Sequence, residues 1–170
     1  IIEVKTLAPA KRVHMVLTED GHARVLTARL PVFNALVADD PPPRIADPGR
    51  ARIYGNLCDF WTTTTRLGEL PIECFSDIPF VDDIDPIEQT LMDDLKEAVG
   101  EMIRPFHVEE YDDGHLLVKW LVSEQRLICR VLEVTYGGEV ARTEEVFDAM
   151  LPVPAGHYWA MRDGRLVPIG

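Results

Sequence analysis

Positive charge is nearly missing between residues 69 and 113, where Lys96 and Arg104 are the only bases. Against them stand fifteen acids, so the stretch carries −13, while the remainder, with fourteen acids and fifteen bases, carries +1. A chain of net charge −12 is therefore a nearly neutral protein with one acidic middle. A concentrated field of one sign steers cationic partners, whereas scattered charge mainly confers solubility. The lack of a basic stripe argues against nucleic acid as a partner, because phosphate contacts need one.

Other absences narrow the classes further. No apolar run approaches the roughly 18 residues of a membrane span, so no transmembrane helix and no membrane partner are expected. Ile1-Ile2-Glu3-Val4-Lys5 has no apolar core of secretory-signal type. Cysteine is scarce: Cys58, Cys74 and Cys129 are odd in number, widely spaced and free of any CxxC clip. They read as small apolar residues of a reducing, cytoplasmic protein, with a Cys58–Cys74 bridge as the alternative. The histidines His14, His22, His107, His115 and His157 form no HxH, HxxxH or HExxH pattern, which argues against zinc. There is no GxSxG, no phosphate-binding glycine loop and no dinucleotide fingerprint. No catalytic residue and no cofactor is therefore assigned.

What is present specifies an α+β chain: one domain over 1–170, a mostly antiparallel sheet and one principal amphipathic helix. That helix is predicted at 86–104. Asp85 is an N-cap, Pro86 suits the first helical position and Glu88 completes a capping box. Ile87, Leu91, Leu95, Val99 and Ile103 recur at helical spacing and are expected to bury against a sheet containing 115–122. Pro105 ends the pattern.

Elsewhere, Arg12–Thr18 and Ala23–Leu30 read as a hairpin across Asp20-Gly21. Pro31–Ala38 reads as a short helix, and the proline-rich 39–50 as a stiff exposed loop. The aromatic and β-branched residues of Arg52–Thr65 read as strand, and Leu70–Phe75 as a further short strand. A meander follows over His107–Tyr111, His115–Ser123 and Arg126–Tyr136, turning at Gly137-Gly138. Thr143 and the glutamates after it predict a short second helix at 144–151. Tyr158–Arg162 and Arg165–Ile169 make a terminal hairpin across Asp163-Gly164.

The candidate site is the acidic surface. Asp93, Asp94, Glu97 and Glu101 fall away from the apolar face of the predicted helix, and Asp82 and Asp83 precede it. Like charges at i, i+4 cost about 0.2–0.5 kcal/mol per pair, so this clustering does not serve helix formation. Tyr158 and Trp159, in the terminal hairpin, supply the aromatic contact that interfaces favour. These residues together suggest a non-enzymatic interaction module, of inhibitor, immunity-type, chaperone or assembly-subunit kind, that meets a basic protein partner. The alternative is a metal-dependent hydrolase that uses carboxylates of the acidic middle. An EF-hand beginning at Asp83 fails, because Ile87 takes the fifth position and no glycine the sixth. Glu109, Glu110, Asp113 and Lys119 offer the residue types of a carboxylate–metal site without its motif.

Overall fold

A computed structural model describes residues 1–7, 10–63, 69–81, 84–148, 150–153, 159–162 and 165–168. It shows the α+β class: antiparallel strand pairs with helices. Two compact units emerge, one of Ile1–Thr65, Val108–Leu117 and Leu132–Arg142, the other of Arg66–His107, Val118–Val131 and Thr143–Gly170.

The first unit begins with an antiparallel sheet of β1 (Ile2–Leu7), β2 (Ala10–Leu17) and β3 (Ala23–Val25). Thr18–His22 closes the β2–β3 hairpin as its sequence predicts, with Gly21 at φ +82°. Helix α1 (Leu30–Asp39) starts with Pro31 in its first turn. Helix α2 (Pro48–Thr62) is capped by Asp47, whose carboxylate accepts the Arg50 N–H at 2.8 Å.

This second helix corrects the reading of Arg52–Thr65 as strand. Its buried residues are Ala51, Gly55, Cys58, Asp59 and Thr62, small or polar groups that recur every three or four positions. Ile53, Leu57 and Phe60, which suggested a strand, face outward. The small residues allow close packing: a Cβ on Gly55 would lie 2.4 Å from Leu117 Cδ2. Asp59 is balanced by Arg142, whose guanidinium lies 3.2 Å from its Oδ1 and donates to Thr63 at 2.6 Å.

The second unit holds β4 (Glu69–Ile72), a single 3₁₀ turn at Phe75–Asp77 and helix α3 (Pro86–Val99). The larger sheet has the order β4, β6 (Gly114–Ser123), β7 (Arg126–Thr135), β8 (Val140–Asp148), and β5 (His107–Tyr111) also pairs with β6. A terminal hairpin of β9 (Trp159–Arg162) and β10 (Arg165–Pro168) completes the strands. The second unit's core gathers Leu70, Ile72, Val99, Ile103, Trp120 and Leu127 among others, with the Trp120 ring 4.9 Å from that of Phe147 and tilted 42° to it.

The short second helix expected at 144–151 is corrected. Residues 144–148 lie in strand β8, and the shortest of the three described α-helices is α1. Glu144 explains the difference. Its carboxylate accepts from Arg130 Nε at 2.7 Å, and the same guanidinium makes a bidentate pair with Glu69 at 2.9 and 2.6 Å. Arg130, on β7, is buried and draws one carboxylate from the adjacent strand β8 and one from β4, which lies beyond β6 in the sheet order, and the paired strand overrides local helix propensity.

Candidate functional site

Helix α3 begins as its sequence dictates. Asp85 Oδ1 accepts from the N–H groups of Ile87 and Glu88 at 2.8 and 2.9 Å, and Glu88 reaches back to Asp85 N–H at 3.4 Å. The helix stops at Val99 rather than at 104. Gly100 caps it through its N–H to Lys96 O, and the next residues form a turn that brings Ile103 back into the core.

The apolar stripe is covered along only half its length. Val99 and Ile103 are buried and Leu95 packs on the core. Ile87 is 74 % exposed and Leu91 61 %, which corrects the expectation that both are buried. Helical spacing tells which residues share a face, but not how far a neighbouring element extends along it. Beside this bare half runs a groove of about 140 Å³, lined by Leu91, Met92, Leu95, Met150, Leu151 and Pro152, with Glu88 and Asp148 at its edge. Met150 is 78 % exposed.

The candidate acids divide. Asp93, Asp94, Glu97 and Glu101 are exposed on α3 and the turn after it, and Lys96 is the one base on the helix. Asp93 accepts from Gln89 Nε2 at 3.1 Å. Asp82, Asp83 and Tyr158 lie outside the described residues. Trp159 opens β9, where its register partner is Pro168, and its side chain lies outside the described set.

Other acids of the middle stretch serve local structure. Glu69 neutralises Arg130. Asp77 accepts the N–H groups of Glu73 and Cys74 at 2.8 and 2.9 Å, and these bonds, Glu73 first, hold its carboxyl below the usual range. Glu110 accepts the Tyr136 hydroxyl at 2.9 Å, which pushes that phenol's pKa up. Glu109, Glu110, Asp112 and Asp113 belong to the first unit. Among the described residues no group of three His, Cys, Asp or Glu side chains is arranged to hold a metal ion.

Met150, Ile87 and Leu91 are the members of this site that sequence reasoning missed. Met150 was hidden by its assignment to a helix, and the other two by their assignment to the core. No protein-family model matches the chain, and no curated protein or solved structure matches it. None of the described helices is long and apolar enough to cross a membrane.

Proposed function

We propose that the protein is a non-enzymatic interaction module that offers the bare half of α3 to a basic protein partner, as an inhibitor, immunity-type protein, chaperone or assembly subunit does. One observation carries this reading: Ile87, Leu91 and Met150 are exposed beside the exposed acids of α3. An apolar centre with a charged surround is the usual anatomy of a binding patch. The acids steer a cationic surface toward the helix, and the apolar groups then hold it by excluding water. A cytoplasmic setting belongs to the same proposal, because Cys58, Cys74 and Cys129 are all free thiols.

The test is affinity capture from the native host, followed by association kinetics with the captured protein. Asp93→Lys with Glu97→Lys should slow association strongly at low salt and little at high salt. Leu91→Asp should speed dissociation at both. Equal rates for wild type and both variants would return α3 to an ordinary solvated helix.

A further inference from the structure

The first unit contains a larger groove, of about 760 Å³, between the β2–β3 hairpin and α1. That volume falls in the range of about 300–1,000 Å³ usual for small-molecule sites. Its floor is apolar and built from both sides: Val16 and Leu26 from the hairpin, Phe33, Leu36 and Val37 from α1. Leu26 and Phe33 are buried, which anchors the floor in the core, while Leu36 and Val37 are only half-covered.

The mouth is predominantly acidic, with four carboxylates against one guanidinium among the lining residues. Glu19 and Asp20 stand at the hairpin end, Asp39 and Asp40 at the end of α1, and Arg24 is the single side-chain base among the lining residues. Asp20 is held by the Thr18 hydroxyl and the His22 N–H, which lowers its pKa and keeps it ionised. Asp39 and Asp40 terminate a helix whose last turn contains no basic residue. A helix C-terminus carries partial negative charge, so carboxylates there repel it as well as each other. A cation at the mouth relieves both repulsions, whereas an anion adds to them. The groove is thus complementary to a molecule that is apolar at one end and positive at the other.

We infer that this groove binds an amphiphilic organic cation, a ligand with an alkyl or aryl tail and an ammonium or guanidinium head. The tail lies along Leu26, Phe33 and Leu36, and the head meets Asp39, Asp40 and the hairpin acids. The inference is independent of the role given to α3, which belongs to the other unit.

Decyltrimethylammonium is a suitable probe, because its charge does not vary with pH. Calorimetric titration of the full chain, below the micellar concentration, should show one saturable site. Decanol should bind more weakly and decyl sulfate not at all. Asp39→Asn with Asp40→Asn should weaken the cation about fivefold, the size of two exposed charge contacts. The same variant should leave decanol binding unchanged. Asp39 and Asp40 are exposed and sit at a helix C-terminus, so the variant should fold at least as well as wild type. Amide shift changes on titration should centre on residues 16–40. The inference is overturned if decyl sulfate binds as well as the cation, if several cations bind without saturation, or if the Asp39/Asp40 variant binds normally. It is equally overturned if Asp93→Asn with Glu97→Asn is the variant that loses the cation, which would place it on α3.

Discussion

Arg130 and Glu69 are joined by two parallel hydrogen bonds, of 2.9 and 2.6 Å, from a buried guanidinium to a carboxylate on β4. A bidentate pair of this kind fixes geometry as well as charge. It also takes Glu69 out of the acidic field in which the sequence alone placed it. Arg130→Ala strands two carboxylates and is expected to cost about 3 kcal/mol. Removing Glu69 as well should recover part of that loss, and a double-mutant cycle by urea titration measures the coupling. Arg130→Lys should not substitute, since an ammonium cannot donate in a fork.

Trp120 lies at 3 % exposure, with the Phe147 ring tilted against it. Trp120→Ala should cost about 3–5 kcal/mol, enough to unfold a domain of ordinary marginal stability. A shift below about 1 kcal/mol in a denaturant titration would mean that this core is misassigned.

The covered and the bare half of the apolar stripe should respond differently. Ile103→Ala removes a buried side chain and should cost about 2–5 kcal/mol. Ile87→Ser and Leu91→Ser touch exposed positions and should stay within about 0.5 kcal/mol. Thermal melts of the three variants compare them directly. Large losses for Ile87→Ser or Leu91→Ser would show that something covers this face in the folded chain.

Cys58 yields a pH prediction. Burial pushes its thiol up to about 12, against an ordinary value near 9.0. The folded state therefore holds a proton that the unfolded state releases. That stabilisation is complete below the ordinary value and is lost as pH rises toward 12. Urea midpoints should fall between about pH 9 and 11, and Cys58→Ala should flatten the slope. Tyr54 retains some of it, because burial raises its phenol pKa too. In the native protein a thiol reagent should modify exposed Cys74 well before Cys58.

Local chemistry was legible where it is self-contained. Asp85, Pro86 and Glu88 specify the start of α3 with no help from the rest of the chain, and the Asp20-Gly21 and Gly137-Gly138 turns do the same for their hairpins. Helix α2 was not legible, because its buried face is made of Ala51, Gly55, Cys58 and Thr62, and small residues give little hydropathy signal. Strand β8 was not legible because Arg130, fourteen residues away, decides the place of Glu144. For the site, the acids on α3 were readable one by one. The exposure of Ile87 and Leu91 was not, since coverage depends on where other segments end.

The proline-rich stretch between α1 and α2 has the composition of a segment that proteases cut. Its attachments say otherwise. The Ile45 N–H donates to Tyr136 O at 2.9 Å, His115 Nε2 lies 3.1 Å from Ile45 O, and the Arg44 guanidinium sits 4.7 Å over the Tyr136 ring. At the β7–β8 turn the Tyr54 hydroxyl donates to Gly138 O, and Gly138 adopts φ +90°, where a Cβ would meet Pro42 at 2.5 Å. Loop, helix and turn are therefore latched together. Cleavage after Arg44 and exchange of the Ile45 amide have to wait for the same opening event, which is larger than the fraying of a surface loop. A side chain at position 138 loosens that latch from a distance, so damage to one turn is felt as a new cut in a segment nearly a hundred residues earlier in the chain.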